Sequence, residues 1–220
     1  MRKAILIMGP PGSGKGTQAN LVARYFNLIH FDTGWHIEET IKKRDKKNRR
    51  IKREFKEGQL TNPAWVLDFV KKEIERIARA GFGVVLSGSP RSVFEAFGDK
   101  KNAGLMPYLV KLYGKKNIFI FNLVIPPEES LKRNSHRLIC STCGHSHILK
   151  QKLRSCPFCG GKLVKRIQDK PSIIKVRLKV YRSQTRPVLK EFENHGFKVN
   201  KINGMPKPFQ IFKTIRSKIK

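Results

Sequence analysis

Acidic side chains are scarce in this chain. Its 220 residues hold 16 Asp and Glu against 47 Lys and Arg, a formal net charge of +31. So low an acid count does not match the paired Lys/Glu networks expected of a hot habitat. No apolar stretch reaches the ~18 residues of a membrane-spanning helix, so no transmembrane helix and no membrane partner is expected. Cysteine is equally sparse: all four lie between Cys140 and Cys159. No internal repeat divides the chain. Aromatics are not interleaved with the basic residues of the two most basic segments, 42–57 and 198–220, so base-stacking recognition is not signalled. The charge surplus itself permits non-specific contact with nucleic acid.

What is present begins with Gly9-Pro10-Pro11-Gly12-Ser13-Gly14-Lys15-Gly16-Thr17. An apolar run, Ala4–Met8, precedes it, and a helical segment to Phe26 follows. Strand, glycine loop and helix form the context of a phosphate-binding loop. Glycines let successive N–H groups curl around an anion, and the helix N-terminus adds a favourable dipole. Gly12, Ser13, Gly14, Lys15, Gly16 and Thr17 are therefore the candidate nucleotide contacts. Lys15 would reach the β- and γ-phosphates, and Thr17 is the candidate Mg²⁺ ligand. Met1, Arg2 and Lys3 before an apolar run superficially suggest a leader. The run ends in the glycine loop, so it reads as a first strand, and a cytoplasmic location is expected.

A second pattern is Cys140-x-x-Cys143, twelve residues, then Cys156-x-x-Cys159, each pair followed by glycine. Short knuckles of this kind let two pairs of thiolates grip one tetrahedral ion, and sulfur selects Zn²⁺ over Mg²⁺ or Ca²⁺. Four thiolates fill the coordination sphere, which makes the expected zinc structural. Two disulfides are the alternative, which a cytosolic setting disfavours. His145 and His147 read as loop residues beside the knuckles.

Hydrophobic periodicity predicts an alternating α/β protein with a parallel five-stranded sheet flanked by helices. Strands are expected at Ala4–Met8, Leu28–Phe31, Gly83–Leu86, Asn117–Val124 and Gly196–Ile202. Helices are expected at Thr17–Phe26, Gly34–Arg44, Arg50–Glu57, Ala64–Ala80, Pro127–Asn134 and Phe209–Ile219. Another should run over Ser172–Glu193, bent near Pro187. Phe94–Tyr113 reads as partly helical, interrupted by Gly98, Gly104 and Pro107.

The chain resembles the adenylate kinases and other nucleoside monophosphate kinases, in their zinc-bearing lid form. The likeness runs from the glycine loop through Asp32-Thr33-Gly34 and Gly88-Ser89-Pro90-Arg91. It continues through Arg133, Arg137, the four cysteines, Arg166 with Asp169, Arg177 and Asn203-Gly204. It implies a core of residues 1–31, 62–135 and 170–220, a monophosphate-binding flap at 32–61 and a zinc-binding lid at 136–169. It implies ATP and a nucleoside monophosphate as substrates, in a monomer or small homo-oligomer. Lys15, Arg91, Arg137, Arg166 and Arg177 would clamp the phosphates, because guanidiniums fork onto phosphate oxygens and stay ionised. Arg133 and Gly204 would flank the donor base, while Thr33, Gly88, Arg91 and Glu95 would serve the acceptor.

Four positions depart from the family pattern. Glu38 stands where an arginine usually grips the acceptor's phosphate, with Lys42 or Lys43 as possible substitutes one turn on. Ser87 and Trp35 replace aspartates near the metal. Glu95 replaces a glutamine that reads adenine, and its two acceptor oxygens suit guanine or a relaxed choice. A nucleotide-binding or NTPase protein with weak kinase activity, associated with RNA through its basic surface, is the alternative expectation.

Overall fold

The computed structural model describes residues 2–42, 49–148 and 153–219. Residues 43–48 of the first basic segment, Lys43 and Arg44 among them, lie outside it, as does the Lys42 side chain.

Five parallel strands form the central sheet: β1 (Ala4–Met8), β2 (Ile29–Asp32), β3 (Val84–Ser87), β4 (Ile118–Val124) and β8 (Val199–Asn203). Their order is β2-β3-β1-β4-β8. Every residue of β1 and β3 is buried. Such continuous apolar runs are what a sheet covered on both faces requires. On one face pack α4 (Pro63–Arg79), α5 (Val93–Phe97), α6 (Leu105–Tyr113) and α9 (Arg186–Asn194). Their Val70, Ile74, Leu109, Val188 and Phe192 join Leu6, Leu86 and Ile120 of the strands. The opposite face is closed by α1 (Lys15–Phe26) and α10 (Pro208–Arg216), through Ala19, Val22, Ile211 and Ile215 against Ile5, Ile7, Val85 and Phe121. The expected sheet is thus observed, with β1 at its expected bounds and the other strand ends shifted by at most three residues. Among the described residues no helix is long and apolar enough to cross a membrane.

Two excursions rise from the strands' C-terminal ends. The first contains α2 (Thr33–Lys42) and α3 (Arg49–Lys56). Asn62 ends it by accepting from the N–H groups of Ala64 and Trp65, at 3.0 and 3.2 Å, with Pro63 at the first helical position of α4. The second follows α7 (Pro127–Ser135) and is a small antiparallel sheet in the order β6-β5-β7: β5 (Arg137–Cys140), β6 (Ser146–Ile148) and β7 (Leu163–Val164). A short turn, Ile167–Asp169, leads into α8 (Pro171–Val180).

The bend expected near Pro187 is a wide turn of π geometry at Tyr181–Thr185, just ahead of that proline. Proline lacks the N–H that would continue the α-helical ladder, and the backbone widens to restore pairing. The Arg186 N–H accordingly reaches Tyr181 O, five residues back. The widened turn presents Thr185 inward, and its hydroxyl donates to Arg91 O at 2.9 Å.

Candidate active site

The glycine loop joins the C-terminal end of β1 to α1, at the centre of the sheet. Backbone shape explains its glycines. Gly12 and Gly14 have φ of 75° and 93°, a region that disfavours other residues. A Cβ on Gly12 would stand 2.5 Å from Asn134 Nδ2. A second layer fixes the loop: Ser130 of α7 donates to Pro11 O at 2.6 Å, and Asn134 Nδ2 donates to Ser130 O at 2.7 Å. Lys15 folds back over the loop, donating to Gly9 O and Pro10 O at 2.9 and 2.8 Å. Thr17 is exposed on the first turn of α1, whereas Ser13 is buried with an unpartnered hydroxyl.

Beside this loop opens a cleft lined by Gly9, Pro11, Lys15, Gly88, Arg91 and Arg177 among others. Arg91 follows β3. Its Nε donates to Gly88 O at 2.6 Å, and a Cβ on Gly88 would lie 3.0 Å from its guanidinium. Gly34 and Thr33 adjoin the same spot, and the buried Thr33 hydroxyl has no hydrogen-bond partner. From the second excursion, Arg137 grips Asp169 with two bonds, Nε to Oδ2 at 2.9 Å and a terminal nitrogen to Oδ1 at 2.5 Å. Arg177 of α8 approaches the same carboxylate at 3.6 Å. Asp169 is fully buried, so one carboxylate takes a fork from Arg137 and stands within ion-pair distance of Arg177.

Arg166 does not point into an open cleft. It pairs with Glu38 of α2, across the gap between the two excursions. Gln168 makes a second bridge by donating to Phe55 O at 2.9 Å. The departure at position 38 therefore has a local consequence: the glutamate neutralises an arginine instead of standing bare. The substitutes suggested for it, Lys42 and Lys43, fall outside the described side chains.

On the far side of the loop, Arg133 is tied by its Nε to Glu129 at 2.7 Å and by a terminal nitrogen to Gly204 O at 2.9 Å. Gly204 in turn packs against Ser13: a Cβ there would meet Ser13 O at 3.3 Å. Arg133, Gly204 and the glycine loop thus form one surface.

Crowding of cations dominates the electrostatics. Burial, then the charges of Arg91, Arg177 and Arg137, pull Lys15 down to about 7. Arg177 is lowered to about 9 by burial and by Arg137, Arg166 and Arg91. Like charges converge this way where an anion is to be received.

Glu95 is buried rather than turned to solvent, and it is not among the residues lining the cleft. Its Oε2 accepts the Arg91 N–H at 2.9 Å. The carboxylate serves the turn that presents Arg91, and the guanine reading draws no support from this placement. His30 belongs to none of the sequence motifs above. It bridges Asn20 Oδ1 (Nδ1, 2.7 Å) and Ser87 Oγ (Nε2, 2.8 Å). With an acceptor on Nδ1, the ring proton sits there. Nε2 then accepts from the Ser87 hydroxyl, whose oxygen keeps its lone pairs. Trp35, half exposed, supplies only its backbone N–H to Asp32 Oδ1, at 3.1 Å.

At the tip of the second excursion the four cysteine sulfurs lie within 4.8 Å of one another. Cys140 and Cys159 are 3.4 Å apart, Cys143 and Cys156 3.7 Å, and all four cysteines are free thiols rather than disulfides. A tetrahedron with metal–sulfur bonds of ~2.3 Å has edges of about 3.8 Å, so the set fits a zinc ribbon. The N–H groups of Cys143 and Thr142 donate to Cys140 Sγ and bring that thiol down to about 6, favouring the thiolate a metal needs. His147 is a strand residue rather than a loop one, with Nε2 3.5 Å from Cys156 Sγ.

Comparison with known proteins agrees with this geometry. The family model for adenylate kinase matches residues 7–197. The chain belongs to the adenylate kinase family. It is 35% identical to an adenylate kinase of Methanothrix thermoacetophila over 96% of this chain and 95% of that one. It is 33% identical to one of Caldicellulosiruptor saccharolyticus, over 90% of each chain. With one of Syntrophomonas wolfei the identity is 32% over 98% of each. Family membership supports nucleotide phosphoryl transfer as the chemistry of this chain.

Burial raises Glu95 from 4.5 to about 7, against the opposing influence of the Arg91 N–H and charge. Between those two values the unfolded chain has released the proton and the fold still holds it. Stability contributed here is therefore full below about 4.5 and is lost as pH rises towards about 7, a swing of about 3 kcal/mol. Glu95→Gln should remove that component. Urea unfolding at about pH 5 and about pH 8 should show the parent losing more stability than the variant; parallel behaviour would refute the assignment.

Proposed function

We propose that the chain catalyses reversible transfer of the terminal phosphoryl group of ATP to a nucleoside monophosphate, with AMP as acceptor and two ADP as products. The observation that carries this reading is the convergence of Lys15, Arg91 and Arg177 on one cleft beside the glycine loop, with the Arg137 charge near enough to depress Lys15. Such transfer needs little covalent chemistry from the protein; positioning and charge stabilisation do most of it. In this reading Lys15 and the loop N–H groups receive the β- and γ-phosphates. Arg91 holds the acceptor's phosphate, and Arg137 and Arg177 face the phosphoryl group in flight. Arg133 and Gly204 flank the donor base. Adenine as acceptor base follows the names of the relatives, and Thr33 and Gly88 border its phosphate. Mg²⁺ enters with the nucleotide, near Thr17.

Segments 32–61 and 136–169 serve as the flap and the lid. Their closure excludes water, which would otherwise intercept the phosphoryl group. The four thiolates hold a structural Zn²⁺, which stiffens the lid that carries Arg137.

Lys15→Met should lower kcat at least about a hundredfold in a coupled ADP-formation assay with ATP, Mg²⁺ and AMP, with the melting temperature kept. Retained turnover would discredit Lys15 as the phosphate cation. Metal analysis should find one zinc per chain. A chelator should raise hydrogen exchange over residues 137–164 before the core responds; simultaneous loss of both would mean that the lid is no separate metal-stabilised unit.

A further inference from the structure

A triphosphate's divalent cation is held through oxygen ligands, and a carboxylate is the strongest that a protein supplies. Neither Ser87 nor Trp35 offers one. The structure does place a different carboxylate beside the loop. Asp32 ends β2 directly across from Ser87 in the parallel register, so the two side chains share the sheet face that meets α1. Asp32 Oδ1 is occupied by the Trp35 N–H. Oδ2 faces the first turn of α1, 3.8 Å from where a Cβ on Gly16 would stand. It makes no hydrogen bond or ion pair among the described residues. Lys15, the obvious partner, spends its ammonium on Gly9 O and Pro10 O instead.

The other carboxylates around the cleft are committed. Glu38 pairs with Arg166, Asp169 with Arg137 and Arg177, and Glu95 lies buried behind the Arg91 N–H. Asp32 alone among these combines partial exposure, the absence of an ion pair and a position beside the glycine loop.

We propose that Asp32 anchors the divalent cation that accompanies the nucleoside triphosphate, with Ser87 Oγ, oriented by His30 and Asn20, as an uncharged second oxygen. The carboxylate has moved one strand across the sheet rather than vanished. This rests on the phosphoryl-transfer reading above.

The test uses the full chain, ATP and Mn²⁺, and reads metal affinity rather than turnover. Free Mn²⁺ is followed by its EPR signal at saturating ATP, and ATP binding in EDTA by calorimetry. Asp32→Asn should weaken Mn²⁺ binding to the protein–ATP complex about tenfold or more, while ATP affinity in EDTA holds or rises. Adding Ser87→Asp to that variant should restore the Mn²⁺ affinity, which a merely structural role for Asp32 would not allow. Equal weakening of ATP binding with and without metal, or unchanged Mn²⁺ affinity, would overturn the assignment. Failure of the unmodified chain to bind ATP would overturn the phosphoryl-transfer reading and this inference with it. ATP binding with an indifferent Asp32 would overturn this inference alone.

Discussion

Asp169 is the constraint on which the active cleft depends. Guanidiniums repel one another, and three of them, with Lys15, are drawn into one partly dehydrated space. A fully buried carboxylate that accepts a fork from Arg137 and approaches Arg177 offsets part of that repulsion. It also fixes the plane of the Arg137 guanidinium. Removing one partner of such a buried pair leaves an uncompensated charge, which costs about 3–5 kcal/mol. Its backbone position is set by the short turn Ile167–Asp169, where the small sheet hands the chain to α8.

The remaining cations depend on the sheet. Parallel strands end at one edge, and the residues that follow β1, β2 and β3 are the glycine loop, Thr33-Gly34 and Gly88 through Arg91. This is the place where open α/β sheets receive ligands. α7 braces the loop from behind through Ser130 and Asn134, and the π turn steadies Arg91 through Thr185. Lys15 and Arg91 thus sit on segments that continue from core strands, whereas Arg137 is carried by the second excursion.

The glycine loop, the cysteine knuckles and the strand–helix alternation were legible because each is a local pattern. Glycine supplies the positive φ that such a loop needs at Gly12, and Cys-x-x-Cys closes on itself. The pairing of Glu38 with Arg166 was not legible, because it joins residues 128 apart through a tertiary approach. His30 was hidden for the same reason: its partners Asn20 and Ser87 lie on two other elements. Glu95 shows the reverse difficulty. Its residue type suggested base selection, but a helix of five residues, capped by Ser92, turns the side chain back onto the Arg91 N–H. Position in a motif says which element carries a side chain, and packing decides which way it faces.

The contact between Glu38 and Arg166 changes what filling the cleft means. With the two excursions already joined by an internal ion pair, an arriving phosphate that engages Arg166 trades places with a carboxylate. No new charge pair forms at that point: one anion replaces another, and the number of neutralised arginines stays constant. The electrostatic gain must then come from Lys15, Arg91 and Arg177, which lie deeper beside the glycine loop. The outer bridge is in that sense an exchange contact, and under the function proposed above the inner cations set how strongly a phosphorylated ligand is retained.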